Sequence, residues 1–393
     1  MNEQQSKFSI DYMLVFLVIL LAIISLVSLY TVQPTLPSKY EGYNFPLRQL
    51  QWYIAGSMII VVTMLIDYDR FRKITWLIYP VGIIPLLMIF FRFPESLIVE
   101  FNNIARGVSF PLIGNIQPSE FMKVILILTI AHVIVKHNEK FIVHTVKSDL
   151  LLLLKIGLVA APPMGLIAVQ PDLGSVLVLV SIVGCMILVS GIKWRVIFSI
   201  VLAGLLGVAS VIAAWAFFPG TIGAYLEDSV FRHVRGRFYG WLSPDQYSES
   251  GFQLIKTMQA IGSGRFFGKG INNMEVYVPE RHTDMILTAI GEQFGFIGVS
   301  VLIIIYFLLI YRLLHIALSS NDQYGSYLVC GIIGMFTYQI FQNIGMSIQL
   351  LPITGLPLPF ISYGGSSTLS YLSAIAIALN VHSRTKKYMF EED

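Results

Sequence analysis

The chain has 393 residues, of which 55% are hydrophobic and only 12% charged. Soluble domains carry about 25% charged residues, so this composition excludes a water-solvated globule and makes a bilayer the expected solvent. The formal net charge of +3 is too small to point to nucleic acid. Two cysteines, Cys185 and Cys330, lie inside apolar stretches, which argues against a disulfide framework.

The N-terminal MNEQQSKFSIDY precedes an apolar run from Met13 with no small-residue cleavage site after it. That run reads as a first spanning helix, not a leader. Taken in order, ten segments reach the ~17 residues needed to cross a hydrocarbon core as a helix. They are 11–31, 50–67, 74–92, 119–136, 150–169, 174–191, 195–217, 285–314, 325–346 and 366–383. The expected fold is therefore an all-α integral membrane protein, one polytopic domain over 1–393 with a long loop at 218–284. Within that loop, FQLIKTMQAIGS at 252–263 has the pattern of an amphipathic helix lying at the membrane interface.

Lys and Arg set the orientation, because cytoplasmic loops are enriched in them. With the N-terminus inside, the inner segments hold thirteen Lys and Arg residues and the short outer loops only Lys39, Arg48, Arg92 and Arg106. Both termini are then cytoplasmic, and helix parity places the long loop outside.

Four polar clusters fall on the outer side by that parity. They are Gln117-Pro118-Ser119-Glu120 with Lys123, the Gln170-Pro171-Asp172 hairpin, Glu280-Arg281-His282-Thr283-Asp284, and PLPFISYGGSS from Pro357 to Ser367. Ionisable groups at membrane depth are costly and mark function by default. Asp284 sits where a loop enters a helix, so it reads either as an N-cap or as a general base with a raised pKa. Glu120 and Lys123 are i,i+3 neighbours that pair, line a cavity, or both. Asp172 fits a structural turn. The long loop carries Arg232, Arg235, Arg237, Lys256, Arg265, Lys269 and Arg281; its Arg forks would suit a pyrophosphate, and a solvated loop of mixed charge is the alternative. Its Gly262-Ser263-Gly264 and Gly268-Lys269-Gly270 lack the strand–helix context of a dinucleotide fingerprint, and no His/Cys spacing suggests zinc.

At these residues the chain resembles the SEDS family (shape, elongation, division and sporulation), which includes RodA and FtsW proteins, the RodA type being nearer in pattern. The carrying segments are IQPSEFMKV, QPDLGSVLV, AIGSGRFFGKG, YVPERHTDMILTAIGEQFGFIG and FQNIGMSIQLLPITGLPLPFISYGGSSTLS. The resemblance implies a ten-helix peptidoglycan glycosyltransferase that polymerises lipid II on the outer face of the bacterial plasma membrane. It implies Asp284 as the essential acid. It also implies substrate contacts from Glu120, Lys123, Asp172, Arg237, His282, Ser362 and Tyr363. A class B penicillin-binding protein and other elongation or division proteins are the expected partners. No organic cofactor is expected, and a divalent cation, Mg or Mn, is a candidate for neutralising the leaving pyrophosphate. One departure stands out: before QPSE the family's Arg/Lys-x-Trp element is replaced by Asn103-Ile104-Ala105-Arg106-Gly107-Val108-Ser109-Phe110, without a Trp. The rival readings are a lipid-linked sugar flippase and an inactive scaffold for a transpeptidase.

Overall fold

The computed structural model describes residues 9–101, 104–110, 114–217, 232–245 and 250–385. Its long helices are α1 (Tyr12–Val32), α2 (Phe45–Leu65), α3 (Tyr68–Phe91), α4 (Pro118–Lys140), α5 (Val146–Val169), α6 (Leu173–Val189) and α7 (Trp194–Phe217). After two short helices, α8 (Arg232–Leu242) and α9 (Ser250–Ser263), come α10 (Ile286–Ser319), α11 (Gln323–Ser347) and α12 (Gly365–Arg384). Each of the ten expected segments coincides with one long helix. Six of these, α1, α3, α4, α5, α10 and α11, are long and apolar enough to cross a membrane by length and composition.

The bundle is arranged around α4. Its Met122, Leu126, Ile127, Ile130, Ala131 and Ile134 are fully shielded, and it packs against α3, α5, α6, α11 and α12. The outer helices turn large apolar side chains outward, such as Phe16, Ile19 and Ile23 on α1, Trp76 and Leu77 on α3, and Phe198, Leu205 and Leu206 on α7. Water would not tolerate so broad an apolar belt on a monomer; lipid would.

Polar residues define the two ends. At one end Arg312 donates to Asp11, the N-cap of α1, at 2.7 Å. There too Arg384 pairs with Asp67, the N-cap of α3, at 3.1 Å, and Asn380 donates to the carbonyls of Thr63 and Ile66. The four polar clusters lie together at the other end.

The all-α expectation needs one correction. Between α3 and α4 the chain forms an antiparallel sheet of three strands, β1 (Ile98–Phe101), β2 (Ile104–Phe110) and β3 (Gly114–Ile116), in the order β1-β2-β3. Ala105 and Val108 of β2, separated by a register shift that leaves Arg106 unpaired, join Ile89 of α3 in one buried cluster, with Phe110 at its edge. The helix expected over 252–263 is present as α9. Its Leu254, Thr257 and Ala260, spaced by three, are buried where the helix packs against α10 and α11, while Phe252 and Met258 stay exposed.

Helix α10 is broken at Gly295, where φ is 62° and ψ −155°. The break releases carbonyls and amides that must find partners at depth. The chain after α9 supplies them. Lys269 N donates to Glu292 O at 2.9 Å and Gly270 N to Gln293 O at 3.0 Å, while Phe296 N donates to Arg265 O at 2.9 Å and Ile297 N to Phe266 O at 3.2 Å. A Cβ at Gly295 or Gly268 would collide with this backbone, so these glycines serve close approach and not anion binding. Gly295→Ala is expected to cost on the order of 1–3 kcal/mol for forcing a side chain into that conformation, seen as a lower melting temperature in detergent.

Candidate active site

Asp284 sits in the turn that leads into α10. Thr283 N and Met285 N both donate to Glu280 O, at 3.2 Å each, which curls the turn tightly. Asn343 of α11 then holds it from behind, donating to Asp284 O at 2.7 Å and to Leu356 O at 2.8 Å. The carboxylate is half-buried. Its Oδ1 accepts from Thr283 Oγ1 at 3.1 Å. Its Oδ2 faces Gly355, where φ is +77° and an added Cβ would lie 3.8 Å away. Desolvation, and then the negative charge of Glu280, push the Asp284 carboxyl up to about 6, against the opposing pull of Thr283 and Arg237. Asp284 is not the N-cap of α10; that position is Met285, without a side-chain cap. The competing structural reading therefore falls away.

Arg237, on α8, donates from NH1 to Thr354 O at 2.9 Å. Trp241, one turn on, donates to Gln349 O at 2.8 Å and so pins α8 to the same segment. Burial and the nearby Arg106 oppose the charge on Arg237, while Asp172 and Asp284 favour it. These four ionisable groups thus share one neighbourhood. Arg106 reaches it from β2, donating from Nε to Gln170 O at 3.2 Å and from NH2 to Pro171 O at 2.7 Å. Asp172 is the N-cap of α6, accepting from Ser175 N at 3.1 Å, Ser175 Oγ at 2.8 Å and Gln117 Nε2 at 3.3 Å. Its turn role, read from the sequence, is visible here, and the same turn brings it beside Arg237.

The other expected residues are placed differently. Glu120 and Lys123 form a closed ion pair at 2.6 Å, with side chains 5% and 0% exposed, although Glu120 Oε2 has no hydrogen-bond partner. His282 is buried against Phe45 and Tyr40, with ring centroids at 4.6 and 4.9 Å, and lies 6.3 Å from Tyr363. Burial, with Lys39 adding to it, holds its imidazole below the ordinary range against the pull of Glu280. Ser362 is occupied in the backbone, its Oγ accepting from Leu358 N at 2.8 Å. The irregular PLPFIS stretch is tied down carbonyl by carbonyl. Tyr306 of α10 donates to Pro359 O at 2.5 Å, Tyr53 of α2 to Phe360 O, and Ser25 of α1 to Ile361 O at 2.7 Å. Of the loop cations, Lys269 and Arg281 are consumed by Glu292; the side chains of Arg232 and Arg235, and residue Asn103, lie outside the described residues. Among the described residues no group of three His, Cys, Asp or Glu side chains could hold a metal ion. A divalent cation there would need oxygen ligands from a phosphorylated substrate, as Mg²⁺ commonly takes.

Arg106, Asn343 and Glu292 were not in the expected site. For Asn343 and Glu292 the available signal was a polar residue inside an otherwise apolar run.

The fold and this site define a multi-pass helical membrane protein with a carboxylate–guanidinium centre at one end of its bundle. The chain belongs to the cell cycle protein family of FtsW, RodA and SpoVE, whose model matches residues 11–387. It is 32% identical to a probable peptidoglycan glycosyltransferase FtsW of Bacillus subtilis, over 95% of this chain and 90% of that one. Stage V sporulation protein E of the same organism is 31% identical, over 97% and 99%. Among solved structures, one from work on polymerization and crosslinking by a peptidoglycan synthase complex superposes with a TM-score of 0.74 at 25% identity, covering 95% of this chain and 98% of that one. The Rod shape determining protein RodA of Thermus thermophilus gives 0.67 at 25% identity, over 97% and 99%. The similarity spreads over the division, sporulation and rod-shape names alike.

Arg106→Ala would leave the carbonyls of Gln170 and Pro171 without these donors. Stranding a buried acceptor costs about 1–3 kcal/mol, so amide exchange in the first turn of α6 should quicken, as hydrogen–deuterium exchange would record.

Proposed function

We propose that this chain is a peptidoglycan glycosyltransferase that polymerises lipid II at the outer face of the plasma membrane, with Asp284 as general base. The observation that carries the assignment is a half-buried carboxyl with its pKa pushed up to about 6, beside an arginine that also neighbours Arg106 and Asp172. A base works best when its pKa lies near the working pH.

In the reaction, the acceptor sugar hydroxyl attacks the anomeric carbon of the donor from the side opposite its lipid pyrophosphate. One C–O bond forms, the C–O bond to phosphate breaks, and the configuration inverts. Asp284 takes the hydroxyl proton and later releases it to water. The leaving group is an anion whose oxygen needs charge neutralisation more than a proton, and Arg237, with Arg106 nearby, supplies it. Asp172 caps the α5–α6 turn whose carbonyls hold Arg106, and its charge favours that of Arg237. A divalent cation, if the substrate brings one, would add to that neutralisation.

The inner and outer assignment rests on the Lys and Arg count, which puts both termini in the cytoplasm and the 218–284 segment outside. The likeness to a peptidoglycan synthase complex structure supports a class B penicillin-binding protein as partner. A flippase would need polar groups leading inward from Glu120 and Lys123. Inward of them α4 buries Ile127, Ile130, Ala131 and Ile134, and the hydroxyl of buried Thr129 is returned to Ile125 O at 2.7 Å, which favours the enzyme.

Asp284→Asn should lower polymerisation of labelled lipid II by about 10²–10⁴-fold while leaving lipid binding in place; glycan ladders at the parent rate would refute the assignment. Activity should rise with pH through about 6 as Asp284 ionises. Glu280→Gln, by removing a like charge, should move that limb to lower pH, and Arg237→Ala should move it higher. The sign for stability is opposite to that for activity. Folding raises this carboxyl from 3.8 to about 6, so its ionisation costs stability as pH rises across that window. At pH 7 Asp284→Asn should melt no lower than the parent.

A further inference from the structure

Further along α10 from Asp284 lies Glu292, a carboxylate that the reaction as described does not touch. It is fully buried, yet every donor around it is spoken for. Oε1 accepts from Lys269 Nζ at 2.9 Å, Glu275 N at 2.8 Å and Val276 N at 3.1 Å. Oε2 accepts from Arg281 NH2 at 2.6 Å. Arg281, itself only 3% exposed, also donates from Nε to Thr288 Oγ1 at 3.3 Å, and that hydroxyl donates to Met285 O at 2.7 Å. The bonds therefore clamp residues 281, 285 and 288, on both sides of Asp284.

We propose that Glu292 is a positioning residue for Asp284. Through Arg281 it fixes the turn that carries the base, and through Lys269 and the 275–276 amides it fixes the segment that leads into that turn. The inference rests on the reading of Asp284 as the base. Only an ionised carboxylate satisfies this arrangement. The amide of a glutamine would turn its NH₂ either toward Lys269 and two backbone N–H groups or toward the Arg281 guanidinium, donor against donor. Breaking one partner of a buried charge pair leaves the other uncompensated, so the turn is expected to shift. A displacement of about 1 Å at a reacting group can cost on the order of 10²-fold in rate.

The test uses the full chain in liposomes with labelled lipid II, and compares Glu292→Gln, Glu292→Asp, Thr288→Val and Asp284→Asn. Glu292→Gln should lower kcat on the order of 10²-fold with KM held at the parent value, and Glu292→Asp, which keeps the charge, should recover part of it. Parent kcat in folded Glu292→Gln, or a loss confined to KM, overturns the proposal. Should Glu292→Gln fail to fold, Thr288→Val decides. It keeps the ion pair and nearly the shape, so a lower kcat at an unchanged melting temperature supports positioning, and parent kcat overturns it. Asp284→Asn separates the two readings. If it is inactive while Glu292→Gln is fully active, positioning alone fails; if it is itself active, the base assignment fails first.

Discussion

The hydrocarbon interior offers a backbone no hydrogen bonds, and the whole architecture answers to that constraint. Regular helices satisfy it by themselves. Every interruption must be paired from elsewhere in the chain, and this structure does so one group at a time. The break at Gly295 is met by the 265–270 segment. The α5–α6 hairpin is met by Arg106, and the turn at Asp284 by Asn343. The first repair is backbone to backbone; the other two recruit polar side chains, Arg106 and Asn343, to the same end of the bundle, so the solution to a folding problem also concentrates hydrogen-bonding capacity in one place.

That concentration gives the site its electrical character. Asp284 loses water on entering the mouth of α10 and sits near a second acid, Glu280, both of which favour its protonated form. Arg237 pulls the other way, while burial and Arg106 penalise the charge on Arg237 itself. The balance leaves a carboxyl able to exchange a proton near neutral pH, next to cations able to receive a phosphate. By contrast Glu120 and Lys123, equally ionisable, cancel one another in a closed pair and present no net charge to that neighbourhood.

Much of the helical framework was legible in the sequence because apolar length alone reports it. The ends were less so. Helix α3 begins at Tyr68, ahead of the expected 74, because Asp67 caps it and the charged first turns need no lipid. Helix α2 begins at Phe45, after the Asn44 cap and with Pro46 in its first turn, although Arg48 and Gln49 make that stretch look like loop. The strand pair around Arg106 stayed hidden because IVEF and IARGVSF are short and only weakly alternating. The Asp284 turn was singled out by combining helix parity with family resemblance, because a charged cluster at a helix mouth stands out against apolar neighbours. Glu292 and Asn343 were passed over because hydropathy treats a buried polar residue as noise, when its partners, far away in sequence, are what give it meaning.

The three consecutive carbonyls of Pro359, Phe360 and Ile361 are each held by a hydroxyl from a different helix: α10, α2 and α1. One tripeptide thereby acts as a rivet through three helices of the bundle. Sliding any of them would strand a carbonyl buried inside the protein, so the three are bound to travel as a unit. Any opening between the helices must then come at a seam away from this rivet.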